Sequence, residues 1–210
     1  GAFAASTILQ YDTAASTTNA TLAASVADPA ITADALSAGP GLVPNSGSTW
    51  NWRDWDTAST SFSEAVAAGD FWTFGFEVTG NVFVSPTALD IRLDRSGSGP
   101  DDFELVASVN DGAPISVLSF DYGDASSGVD FVDVDLTALG QLGPGDSVVF
   151  TIAAFNSESS AGTFDLETVD FNGPAPRSLR LLGDVAPVPV PPAFALFGAS
   201  LLTLLRRRRG

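Results

Sequence analysis

A chain of 210 residues, 45% hydrophobic with 15 Phe and 4 Trp, has the length and apolar content for one sizeable core and is too apolar to be wholly disordered. With no Cys, no His and no Met, disulfides, His- or Cys-based zinc sites and His-dependent catalytic triads are excluded. The nine basic residues are all Arg and four of them are Arg206 to Arg209, so the body before Ala193 carries 5 − 25 = −20 formal charges, which repels a nucleic-acid backbone.

In chain order, residues 1–4 read as the stub of a leader, because Ala2-Phe3-Ala4 fits the small-x-small pattern of a signal-peptidase cut. Ser6 to Tyr11 reads as a first strand. The Ala- and Thr-rich stretch to Ser48 is broken by Gly39-Pro40-Gly41 and Pro44, which predicts loops with one or two short strands. From Trp50 the pattern has period two: Trp72, Phe74, Phe76 and Val78 alternate with polar or small residues. So do Leu89, Ile91 and Leu93; Phe103, Leu105, Ala107 and Val109; Val132, Val134 and Leu136; and Val148, Phe150, Ile152 and Ala154. Such runs are half-buried antiparallel strands. Turn signals separate them at Ser96-Gly-Ser-Gly-Pro100, Asn110-Asp-Gly112, Gly123-Asp124 and Gly143-Pro-Gly-Asp146. Phe164 and Leu166 share one phase and Val169 and Phe171 the other, which predicts a bulge near Glu167 and Thr168. About ten short strands with no helix in the body predict an all-β fold, an antiparallel two-sheet sandwich, jelly-roll-like, over residues 5–183.

Three patterns in the body point to chemistry. Trp50, Trp52 and Trp55 lie beside Arg53 and Asp54, and they are either a sugar-stacking platform or packing within the sandwich. Asp94, Asp101 and Asp102 flank a Gly-rich turn and offer the hard oxygens that Ca²⁺ requires, although acidic residues also cap turns and keep loops wet; no EF-hand spacing is present. Glycoside hydrolysis by two carboxylates needs no His, so a hydrolase is the lesser alternative, and a deep cleft holding such a pair would mark it.

Beyond the body the composition changes abruptly. Residues 184–192 form a Pro-rich linker in which Pro187, Pro189 and Pro191 alternate, a pattern that favours extended polyproline II. Residues 193–210 follow as a hydrophobic anchor helix with an Arg-rich cytoplasmic end. Its 13 uncharged residues, Ala193 to Leu205, span about 20 Å as a helix, a marginal length against a hydrocarbon core of about 30 Å. Snorkelling arginines extend the reach, and Arg206, Arg207, Arg208 and Arg209 hold the C-terminus in the cytoplasm.

This order of motif, apolar helix and arginines resembles the PEP-CTERM class of bacterial sorting signals, and most closely its Val-Pro-Leu-Pro-Ala variant. Val188, Pro189, Val190, Pro191 and Pro192 stand in the motif's place, with Val190 where the variant has Leu and Pro192 added. The resemblance implies recognition by an exosortase-type membrane protease, transient anchoring in the inner membrane through the C-terminal helix, and delivery to the surface or extracellular matrix of a Gram-negative bacterium.

The body also resembles a domain often found attached to such signals. The resemblance rests on Tyr11-Asp12, on Leu89-Asp-Ile-Arg-Leu-Asp-Arg-Ser-Gly-Ser-Gly-Pro100, on Leu139 to Ser147 and on Gly162-Thr-Phe-Asp-Leu-Glu167. It implies a non-enzymatic β-sandwich. The sequence therefore predicts an exported surface or matrix protein without catalytic residues, embedded in extracellular polysaccharide, with a carbohydrate-binding module, Ca²⁺-stabilised or not, as the alternative.

Overall fold

The alternating apolar runs pair into two antiparallel sheets in the computed structural model, which describes residues 5–13, 20–45, 49–123, 125, 127–168 and 178–189. Its strands are β1 (Ser6–Tyr11), β2 (Thr21–Leu22), β3 (Val26–Ala27), β4 (Ile31–Ala33), β5 (Leu36–Ala38), β6 (Val43–Pro44), β7 (Trp50–Arg53), β8 (Phe71–Val78), β9 (Val82–Arg95), β10 (Pro100–Val109), β11 (Ile115–Asp121), β12 (Val129–Asp135), β13 (Ser147–Ser157), β14 (Phe164–Leu166) and β15 (Leu179–Pro187). One sheet runs β3-β1-β15-β9-β14-β7-β6, with β12 on the other edge of β9. The second runs β11-β10-β13-β8-β5-β2, with β4 also on β8. The two inner faces interdigitate as a sandwich core. Trp72, Phe74, Phe76, Leu89, Ile91, Leu93, Phe103, Phe150 and Ile152 are all buried in it, as their alternation predicts.

Phe164 joins the layers. From β14 in the first sheet its ring stacks on Trp72 of the second at 5.1 Å and 17°, and meets Trp55 edge-on at 5.5 Å and 87°. Aromatic contacts of this kind add about 0.5–1.5 kcal/mol each beyond the area they bury.

Four features depart from the sequence reading. The stretch read as loops with one or two strands forms five two- or three-residue strands, β2 to β6. A helix, α1 (Phe62–Ala68), interrupts the strands: the Ser61 side chain accepts the Glu64 N–H and Gly69 closes the C-terminus at φ 89°, where only glycine is unstrained. Val132 is half exposed rather than inward, because β12 shifts register between Phe131 and Val134, with Asp133 at φ 55° giving its N–H to Asp90 Oδ1.

The fourth departure is at the linker. Residues 184–187 continue β15, pairing Asp184, Val185, Ala186 and Pro187 with Ser85, Val84, Phe83 and Val82. The Val188 N–H bonds Asn81 O, so alternation turns the donor-less nitrogen of Pro187 to the side that β1, which ends its pairing at Gly183, does not reach. The sheet thus runs four residues past the predicted body boundary. Val188 and Pro189 are described. Val190, Pro191, Pro192, the anchor helix with Arg206 to Arg209, and residues 1–4 lie outside the described residues. Among the described residues no helix is long and apolar enough to cross a membrane.

Candidate functional site

The three tryptophans of the expected sugar platform are core residues. Trp50 and Trp52 alternate inward from β7 while Asn51 and Arg53 face out, and their rings lie 5.1 Å apart. Trp55 donates its indole N–H to Trp52 O and packs edge-on against Trp72. All three are at most 2% exposed, so no ring face is open to a sugar.

The aspartates expected to share a calcium ion are separated by the strand period. Asp101 and Asp102 are neighbours in β10 and point to opposite faces. Asp101 pairs with the buried Arg95, whose guanidinium also donates to the carbonyls of Ser96, Gly97, Pro100 and Gly123 and so clamps the Gly-rich turn. Asp102 accepts from Asn156 Nδ2 at 2.5 Å. Neither belongs to the group of carboxylates that gathers around Asp94.

Asp94 instead belongs to a cluster on the outer face of the first sheet. The register places Asp165 of β14 directly between Asp94 of β9 and Asn51 of β7. Carboxylate oxygens of Asp94, Asp165 and Glu167 lie within 4.8 Å of one another. Thr49 Oγ1 donates to Asp165 Oδ2 at 3.1 Å, and Arg92 bridges Glu167 (Nε to Oε2, 2.6 Å) and Asp130 (Nη1 to Oδ1, 2.8 Å). Gly128 lies over the Arg92–Glu167 pair so closely that a Cβ there would come within 2.6 Å of both.

Burial and then the charge of Asp94 push the Asp165 carboxyl up to about 7; burial likewise raises Asp94, with Glu167 adding to it. These three carboxylates are hard oxygen donors of the kind a divalent cation takes. Arg92 and a proton held to near neutrality already offset much of their charge. Asp165 and Glu167 were readable as the polar phase of β14 and its continuation, but their meeting with Asp94 depends on strand pairing. Asp94 and Asp165 line none of the three pockets described among the described residues.

No family model and no curated protein matches the chain. Among solved structures, a mutant family 29 carbohydrate binding module is similar to it with 12% identity and a TM-score of 0.35, over 88% of this chain and 94% of that one. The Podospora anserina GH26-CBM35 β-(1,4)-mannanase is similar with 13% identity and a TM-score of 0.29, over 87% of this chain and 28% of that one.

Proposed function

We propose that the chain is an exported, exosortase-sorted surface protein: a non-enzymatic β-sandwich displayed outside a Gram-negative cell, with residues 188–209 as its sorting and anchoring signal. The observation that carries the reading is the junction. The motif Val188-Pro189-Val190-Pro191-Pro192, the apolar run and the four arginines begin one residue after Pro187, where the last strand of the sandwich ends. A protease acting at or beyond the motif therefore removes no strand, and the net charge of −20 keeps the released body soluble.

Replacing Arg206 to Arg209 by Ser tests it. The sandwich should melt as the parent does, while unprocessed protein escapes membrane retention, read by cell fractionation with mass spectrometry of the C-terminus. Retention, cleavage and surface display at the parent's efficiency would remove the sorting role from the arginines.

A further inference from the structure

The outer face of the second sheet differs from that of the first in carrying a line of hydroxyls. The registers place Ser116 opposite Val106, Val106 opposite Thr151, Thr151 opposite Thr73, Thr73 opposite Ser37 and Ser37 opposite Thr21. One residue from each of β11, β10, β13, β8, β5 and β2 thus stands in a row at right angles to the strands. Five of the six bear a hydroxyl. At about 4.8 Å per strand the row is roughly 24 Å long.

Two of these hydroxyls are engaged within the protein, Ser116 with Glu104 Oε1 and Ser37 with Ala35 O. Thr21, Thr73 and Thr151 bond no protein group among the described residues. The middle of the row, Thr151, Thr73 and Ser37, lies along a groove made of two adjoining pockets. Helix α1 packs on β13 and supplies Phe62 and Val66 to one wall, and two pockets of about 200 and 400 Å³ meet at Val149, which is 36% exposed.

We infer that this groove binds a linear, uncharged polysaccharide laid across the strands. Sugar hydroxyls meet Thr151, Thr73 and Ser37 on three successive strands, and sugar C–H faces pack on Val149, Phe62 and Val66. The row itself holds no charged residue, while Asp34 and Glu104 flank it and the body is strongly acidic, so a polyanion is repelled and a neutral polymer is not. A peptide strand would need free backbone groups, and β8, β10 and β13 are paired on both edges. Val106 is buried, so the accessible run is Thr151 to Thr21, three strand steps or about 14 Å, which selects a chain of sugars over a single one.

The inference deepens the reading of the body as a domain displayed outside the cell, yet its test does not depend on export. The purified full chain is run through native gels containing β-glucan, galactomannan, dextran or, as the polyanion, alginate. At least one neutral polymer should retard it, and alginate should not. Thr73→Val with Thr151→Val keeps the shape and β-branching of both side chains and should weaken retardation about tenfold, the scale expected for two lost hydrogen bonds. Val149→Lys should weaken it too, and Val132→Lys, on the first sheet, should not. An unretarded parent, an unaffected double variant or equal binding of alginate would overturn the inference. None of these results bears on the tail, whose sorting is read separately by fractionation.

Discussion

The two sheets bury inner faces of the same kind and turn quite different faces outward. On the first sheet, charges are matched across strands: Arg180 with Asp90, and Arg92 with Glu167 and Asp130. On the second, the central rows are hydroxyls and short apolar groups, with Thr73 and Thr151 unengaged by described protein groups. Core alternation fixes only the inner face of each strand. The outer residues are under no packing constraint from the sandwich, so the difference between the faces points to where binding can be located. The first face pairs its charges on itself, whereas the second leaves the hydroxyls of Thr73 and Thr151 available to a partner.

Disrupting the self-matched face should have the largest effect. Asp90 is fully buried and holds Arg180 Nε at 2.7 Å as well as the Asp133 N–H that closes the β12 bulge. Arg180→Leu strands that carboxylate without its cation, and removing one partner of a buried pair costs about 3–5 kcal/mol. Urea unfolding should show a lower midpoint with the slope unchanged; a loss below about 1 kcal/mol would mean that this face is not held together by its charges.

The acidic cluster sharpens the same contrast, because its charge is matched incompletely. Asp165 has a folded-state value of about 7, well above that of an unfolded carboxyl, so the native state holds a proton that the unfolded state releases. The stability conferred by that proton is fully present below about pH 4 and is lost as pH rises through about 7. Asp165→Asn should therefore stabilise the protein at pH 8 by up to about 4 kcal/mol and by little at pH 4, measured in EDTA so that no metal substitutes for the proton. A gain that is equal at both pH values would show that the charge of Asp165 is not what limits stability.

How far each face was legible follows from what local pattern encodes. The inner-face alternation of Trp72 to Val78 or Leu89 to Leu93 is a property of neighbours in sequence, so the sandwich class could be read directly. The meeting of Asp94, Asp165 and Asn51, and the row from Ser116 to Thr21, depend on pairings between distant strands that no local window contains. The last four residues of β15 were hidden for another reason: Pro187 suggests a spacer, and only the free side of the strand makes a donor-less residue tolerable there. Helix α1 did leave a signal, Ser61 and Glu64 at capping-box spacing followed by Gly69, which the surrounding period-two runs obscured. The tryptophans misdirect because their composition suits a sugar platform equally well. The inward phase of β7 decides the burial of Trp50 and Trp52, and Trp55, beyond the strand, is buried against Trp72 and Phe164.

The groove wall offers an intermediate effect. Gly69 ends α1 in the left-handed region, and a Cβ there would lie 2.7 Å from Gly41 N. Gly69→Ala should cost about 1–2 kcal/mol and displace the helix that carries Phe62 and Val66. Its melting temperature should fall by a few degrees, and retardation by a neutral polymer should weaken with it, even though no residue of the groove is altered. Full binding at unchanged stability would show that α1 is not fixed by its cap.

The smallest effect is expected from the substitutions that matter most to binding. Thr73 and Thr151 face one another across β8 and β13, are only half-buried, and bond no described protein group, so exchanging their hydroxyls for methyls removes nothing the fold uses. Valine keeps the branched shape that suits a strand, and surface changes of this kind fall within about 0.5 kcal/mol of the parent. Thermal melting of Thr73→Val with Thr151→Val should therefore overlay that of the parent, in contrast to Arg180→Leu on the opposite face. A marked destabilisation would mean that these hydroxyls are structural, and the second face would then be as self-engaged as the first.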